Sequence, residues 1–270
     1  MSEKRYKGGM HQGFSTLVKA IEQLSNQKVE LSSDDEKLDI KAIRRIEAHQ
    51  ASVELSRQRE QRHREFVDDV HKQGRINPEY TFDKIVKDEA NAHAYDVALS
   101  FCATLNMDLD KLTNPPFFLL QGGPGTGKSV LCNCIANEFL VKHFKEVLLC
   151  SYSEIKRNRA PSSSDTVYDV QEKNSHWEKY LTVDLLIIDG FCQNNENLTA
   201  FDKQVFAELL RYRKELKLPI VVTTPLSAES IHPKLGDDCF ESIKEYSVFS
   251  ACLFGLSRRQ PIIISGHNLG

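Results

Sequence analysis

An α/β fold, with a parallel sheet held between helices and a helical region ahead of it, is what the sequence predicts, and three observations carry the prediction. A glycine loop, Gly122-Gly123-Pro124-Gly125-Thr126-Gly127-Lys128-Ser129, joins an apolar run to a helix-like segment. Beyond about residue 80, apolar runs of strand length alternate with helical periodicity, the pattern of a parallel sheet covered on both faces. Before that, residues 36–71 contain neither Gly nor Pro, as one long helix requires.

In chain order, an amphipathic helix is predicted over residues 13–24, with Phe14, Leu17, Val18 and Ile21 on one face. Ser32-Ser33-Asp34-Asp35 reads as the start of the next helix, with acidic residues in its first turn. Along that helix Leu38, Ala42, Ile46 and Val53 trace a narrow apolar stripe, and residues 56–65 carry no apolar side chain. Such a helix buries little against its own domain and either projects into solvent or docks on a partner. Gly74 to Pro78 breaks the pattern. The expected division is therefore a helical region over residues 1–73, a linker over 74–80, a nucleotide-binding domain over 81–265 and a tail over 266–270. Within the domain the expected strands are 117–121, 146–151, 185–189 and 220–224, with one or two more inside 249–254 and 261–265. Helices are expected over about 87–105, 128–143, 200–216 and 236–245.

Composition narrows the classes. The chain has 270 residues, 40% hydrophobic, enough for one large domain or a medium domain plus an appendage. A net charge of −3 gives no global pull toward nucleic acid, so any such contact must be a local patch. No apolar run is long enough to span a membrane, and Met1-Ser2-Glu3-Lys4-Arg5 leads into polar sequence, unlike a signal peptide. The seven cysteines fall mostly in apolar segments, as in a reduced, cytoplasmic protein. Cys132 and Cys134 could be half a metal site, but no matching Cys or His pair follows at zinc spacing.

The glycine loop matches G-x-x-x-x-G-K-[ST] at every fixed position and sits between strand and helix, as that motif requires. Glycines let the backbone approach phosphates and turn its N–H groups inward, and the helix that follows directs its positive end at the anion. Gly123, Pro124, Gly125, Thr126, Gly127, Lys128, Ser129 and Val130 are the expected nucleotide-contacting residues. Lys128 would reach the β- and γ-phosphates, and Ser129 would ligate Mg²⁺. A second pattern, Val183-Asp184-Leu185-Leu186-Ile187-Ile188-Asp189, is a buried strand ending in an acid. Asp189 would hold Mg²⁺ through water, opposite Ser129, at the carboxyl ends of the strands where ligands of open α/β sheets bind.

The order of these features carries a resemblance. Asn77-Pro78-Glu79-Tyr80-Thr81-Phe82 precedes a helix and then the loop at 122–129. Ser153-Glu154-Ile155 follows the second strand, then come residues 183–189 and a C-terminal Leu256-Ser257-Arg258-Arg259. Over roughly residues 75–260 this resembles the bacterial replicative helicase loaders of the DnaC family, a branch of the AAA+ ATPases close to DnaA. The resemblance implies an AAA+ P-loop domain that binds ATP or ADP with Mg²⁺ and contacts single-stranded DNA. It implies that residues 1–73 bind a replicative DNA helicase, and that the protein self-associates or assembles with the helicase hexamer.

Departures from the family pattern bear on hydrolysis. The Glu expected after Asp189 is Gly190, followed by Phe191, Cys192 and Gln193. The sensor Asn is replaced by Val222-Thr223-Thr224-Pro225, where Thr223 or Thr224 offers a weaker hydrogen bond. The stretch that carries the trans-acting arginine is Leu235-Gly236-Asp237-Asp238, with Ser242 at the later position. A base contributes about 10²–10⁴-fold and an arginine finger about 10³–10⁵-fold in rate, so weak or no intrinsic hydrolysis is expected. The opposing expectation keeps Lys128 and Asp189 in a catalytic set completed by Glu196 and by Arg211, Arg213, Arg258 or Arg259, with Arg213 foremost. For nucleic acid, Lys156, Arg157 and Arg159, near Tyr152 and His143, form a basic cluster suited to a single strand. Residues 161–175 read as a flexible loop that Trp177 and Tyr180 return to the core. Two other readings stand beside the loader: a transposition helper of the IstB kind, and a non-catalytic adaptor or inhibitor acting on a helicase. A small-molecule kinase lacks the lid arginines and acceptor site it would need.

Overall fold

The computed structural model describes residues 19–20, 22, 40–107, 109–143, 145–160, 162–193 and 197–259. Lys19, Ala20 and Glu22 are helical. The rest of the helix expected over 13–24, the helix start at Ser32, the strand expected within 261–265, the tail and Glu196 lie outside the described residues. The chain divides into two compact units, residues 1–58 and 59–270.

Helix α1 runs from Ile40 to Lys72. From Arg44 to Gln58 its side chains are exposed, apart from a half-buried Ile46, and Val53 and Leu55 stand in solvent. The second unit begins inside this helix, at Arg59, whereas the break at Gly74 to Pro78 set the expected boundary at residue 73. Phe66, Val67 and Val70 pack against the core of that unit, and His71 Nε2 lies 2.9 Å from Asn137 Oδ1. Residues 74–80 are likewise fastened rather than slack. Ile76 is buried, the Asn77 N–H donates to Asn133 Oδ1 (2.7 Å), and Asn137 Nδ2 donates to the carbonyls of Asn77 (2.8 Å) and Tyr80 (2.9 Å).

The second unit continues as α2 (Ala92–Leu105), β1 (Pro116–Gly122), α3 (Lys128–His143), β2 (Val147–Ser151), α4 (Tyr152–Arg159), α5 (Val167–Thr182), β3 (Leu185–Asp189), α6 (Ala200–Glu215), β4 (Ile220–Thr224), α7 (Ala228–Leu235), α8 (Asp237–Lys244) and β5 (Ser247–Leu253). The five strands form one sheet in the order β2-β3-β4-β1-β5, every pair parallel. Alternation along the strands sends side chains to two cores. Phe117, Leu186, Ile188, Ile220 and Val222 meet Trp177 and Tyr180 of α5 and Leu209 and Leu210 of α6. Phe118, Leu120, Leu185, Ile187 and Val221 meet Phe101 of α2 and Ile135 and Phe139 of α3. Covered on both faces, these strands read as unbroken apolar runs.

Four helices differ from the sequence expectation. Helix α2 begins at Ala92 rather than near residue 87, because Asp88 Oδ1 accepts the N–H groups of Ala90 and Asn91 (both 3.0 Å) and closes a turn there. Residues 161–175 are not a loop throughout. Helix α5 starts at Val167 behind a capping box in which Thr166 Oγ1 accepts the Asp169 N–H and Asp169 accepts the Thr166 N–H. Trp177 and Tyr180 do return it to the core. Helices α4 and α7 are too short to announce themselves by periodicity.

Helix α6 carries the same device, with Thr199 and Asp202 in the capping box. Asp202 is almost fully buried and pairs with Lys156 Nζ at 2.9 Å. Burial pushes its pKa up, but the Lys156 and Thr199 hydrogen bonds outweigh burial and hold it below the usual carboxylate range. Asp202→Ala is expected to cost about 2 kcal/mol, at the upper end for a lost cap, measured by urea unfolding. Because the folded pKa is the lower one, the wild-type contribution is complete above the unfolded carboxylate pKa. It fades as pH falls through the folded value, so wild type and variant converge in acid.

Candidate functional site

At the carboxyl end of β1 the chain turns through the glycine loop into α3. Gly125 takes φ +76°, and a Cβ there would overlap the Ser257 side chain, so both backbone conformation and space demand glycine. Thr126 Oγ1 donates to the Gly123 carbonyl at 2.9 Å, and the Leu131 N–H donates to Gly127 O at 3.0 Å, the first bond of α3. The Lys128 ammonium donates to the carbonyls of Gly122 (2.7 Å) and Gly123 (2.8 Å). Burial lowers its pKa, with the Asp189 carboxylate pulling the other way. Ser129 stands exposed in the first turn of α3, where the helix dipole is positive.

Asp189 ends β3 beside this loop. Its Oδ1 accepts the Thr223 hydroxyl at 2.5 Å, and Thr223 Oγ1 in turn accepts the Gly190 N–H at 2.8 Å. Thr223 is fully buried, so it holds the acid in place and is not free to meet a ligand. Thr224 is buried too, its hydroxyl oxygen accepting the Leu226 N–H at 3.2 Å. Neither threonine stands in for a sensor residue directly.

Lys128, Ser129 and Asp189 face a cleft of about 1050 Å³. Tyr80, Ile85 and Val86 give it an apolar side, and Arg258 and Arg259 close another edge. The segment bearing these arginines is tied to the glycine loop, since the Arg258 N–H donates to Gly125 O at 2.9 Å. Arg258 Nη2 donates to Asp88 Oδ1 at 2.8 Å, and that hydrogen bond holds the Asp88 carboxyl below its ordinary pKa. Of the arginines offered by the sequence, these two reach the cleft.

Arg213 does not. It is completely buried, donating from Nη1 to the carbonyls of Tyr180 (3.0 Å), Leu181 (3.3 Å) and Val183 (2.8 Å) and from Nη2 to Pro219 (2.8 Å). Val183 and Pro219 precede β3 and β4, so this clamp grips the amino ends of the strands, whereas the cleft opens at their carboxyl ends. Burial lowers its pKa to about 9, which leaves it charged at pH 7. Its expected place in the catalytic set is therefore corrected to a structural one. Arg211 lines a separate groove beside Leu235 and Asp238.

The basic cluster is reduced by pairing. Lys156 is bound to Asp202, and Arg159 pairs with Glu208 (3.2 Å) while lying over the Trp177 ring (5.0 Å). Arg157 remains exposed. Cys132 and Cys134 are buried within α3, and burial drives both thiols well above their usual pKa, the state of inert core cysteines. Among the described residues no group of three or more His, Cys, Asp or Glu could hold a metal, and no helix is long and apolar enough to cross a membrane.

The parallel sheet and the glycine loop at the carboxyl end of β1 define an α/β P-loop domain. Comparison with known proteins agrees. The family described as RNA helicase matches residues 118–225, from β1 to just past β4. The replicative helicase loader DnaC of Buchnera aphidicola subsp. Acyrthosiphon pisum (strain APS) is 26% identical over 127 residues, 47% of this chain and 50% of that protein. The chromosomal replication initiator DnaA of Enterococcus faecalis (strain ATCC 700802 / V583) is 32% identical over 118 residues, 44% of this chain and 24% of that protein. The chain thus spans about half the length of the DnaC relative. Among solved structures, DnaI superposes with a TM-score of 0.51 at 21% identity, covering 67% of this chain and 92% of that one. AMPPCP-bound DnaA from Aquifex aeolicus gives 0.50 at 20% identity, covering 66% and 51%. The likeness to DnaC-type helicase loaders read from the sequence holds in these comparisons.

Proposed function

We propose that this protein is an ATP-binding, loader-like partner of a replicative DNA helicase that assists placement of the helicase on single-stranded DNA and hydrolyses ATP weakly. The observation that carries the reading is the convergence of Lys128, Ser129 and Asp189 on one cleft at the carboxyl ends of β1 and β3. The triphosphate would lie along residues 123–130, drawing Lys128 from the loop carbonyls, and the base would rest against Tyr80, Ile85 and Val86. A Mg²⁺ ion fits the donors present. Ser129 offers a hydroxyl, and Asp189 keeps an oxygen beyond the one bonded to Thr223, a hard-oxygen set that phosphate and water would complete. When bound, the ion would offset phosphate charge. The absence of a Glu at 190, the engagement of Thr223 and the burial of Arg213 support slow turnover.

Residues 1–73 would be the helicase-binding segment, supported by the exposed, charged face of α1 over 44–58. Complex formation is checked by size-exclusion chromatography of the full chain with a hexameric replicative helicase. Co-migration is expected, and separate elution would remove the helicase from the reading. Single-stranded DNA would pass along α4, where Arg157 is an exposed cation. Arg157→Ala is expected to weaken binding of a fluorescent oligonucleotide about three- to tenfold and to lower the salt slope by about one, the signature of one lost phosphate contact. An unchanged slope would move the DNA path elsewhere.

A further inference from the structure

Immediately beyond Asp189 the chain doubles back, and the doubling is built firmly. The Phe191 N–H donates to Thr223 O at 2.7 Å, a backbone bond beyond the last paired residues of β3 and β4, Ile188 and Val222. Phe191 and Cys192 are both buried, and the Phe191 ring lies 4.6 Å, centroid to centroid, from each of Tyr152 and Phe206. Two residues with positive φ make the reversal, Gly190 at +85° and Cys192 at +53°. A left-handed cysteine is uncommon and is retained where the surroundings impose it. The result is that Gln193 comes back alongside Gly190. A Cβ built at Gly190 would overlap the Gln193 side-chain amide. The amide thus occupies the space into which a side chain at position 190 would emerge, and it lines the same cleft as Lys128 and Asp189.

We infer that Gln193 is the water-positioning residue of this site. The inference rests on the ATP reading above and adds to it a residue that the linear order hides, because it sits three places beyond the expected one. A primary amide can accept a water O–H at Oε1 and donate from Nε2 to a phosphate oxygen, so it can aim a water at the γ-phosphorus without being a base. The use of glutamine to orient attacking water is an established solution in phosphoryl transfer. The water oxygen bonds to the γ-phosphorus, and the bridging P–O bond breaks with its electron pair left on ADP. The water proton passes to the released phosphate. With glycine at 190, where a base is expected, turnover forgoes about 10²–10⁴-fold and stays slow but not zero.

The test separates binding from turnover in the purified full chain. Affinity for a fluorescent ATP analogue and single-turnover hydrolysis of ATP with Mg²⁺ are measured for wild type, Gln193→Ala and Gln193→Glu, each confirmed as folded by thermal melting. Gln193→Ala is expected to bind within about threefold of wild type and to hydrolyse at least tenfold more slowly. Gln193→Glu is expected to introduce a limb at acid pH into a profile that is flat in wild type, since an amide does not titrate and a carboxylate does. A Gln193→Ala rate equal to wild type, or a wild type that binds ATP and never hydrolyses it, overturns the inference alone. A wild type that fails to bind ATP overturns the ATP reading and this inference with it.

Discussion

Lys128→Ala is expected to weaken ATP binding by at least about 100-fold while leaving the fold intact. Two charge-assisted hydrogen bonds to phosphate, each about 1.5–3 kcal/mol, amount to roughly 3–6 kcal/mol, and each 1.4 kcal/mol is a factor of ten. The fold is spared because the Lys128 hydrogen bonds run to the carbonyls of Gly122 and Gly123, within its own loop. Titration of a fluorescent ATP analogue, with a thermal melt as control, measures both parts. The same variant bears on the adaptor reading. If helicase binding were wholly insensitive to Lys128→Ala and to added nucleotide, the fold would be serving as a scaffold.

Arg213→Met is expected to lower stability by about 3–5 kcal/mol, seen as a shift of the urea midpoint. The substitution keeps length and apolar volume but strips donors from the carbonyls of Tyr180, Leu181, Val183 and Pro219. Each carbonyl left buried and unpaired costs about 1–3 kcal/mol, and relief of a buried charge offsets part of that total. ATP hydrolysis, normalised to folded protein, should not change. An arginine acting on a neighbour's nucleotide would give the reverse, with stability unmoved and turnover lost.

These two residues also show what a linear reading reaches. Lys128 was legible because its chemistry is local, with loop, lysine and helix contiguous in sequence. The strands were legible because burial on both faces leaves unbroken apolar runs, so β3 and β4 fall where the runs fall. Arg213 was not legible. A charged residue late in an amphipathic helix belongs on the surface by default, and the carbonyls that bind it come from the starts of two strands and the end of another helix. Thr223 and Gln193 share that difficulty. The role of Thr223 exists only once β4 lies beside β3, and Gln193 reaches its place through the positive φ of Gly190 and Cys192. The C-terminal part of α1 was hidden differently, as Phe66, Val67 and Val70 follow a run of charge that dominates the pattern. Helix α5 was masked by serines before it, although Thr166 and Asp169 stood at capping-box spacing.

The most direct measurement is ATP binding and turnover by the full chain, alone and with single-stranded DNA and a replicative helicase, beside Lys128→Ala. The account predicts Mg²⁺-dependent binding that Lys128→Ala weakens at least about 100-fold, with slow turnover that the partners leave within about one order of magnitude, as expected for a site with glycine after Asp189 and Arg213 buried away from the cleft. Wild type that does not bind ATP would contradict the account at its root. Stimulation by the partners to about 10³-fold or more would contradict the slow-turnover part, and would mean that the complex completes the catalytic set.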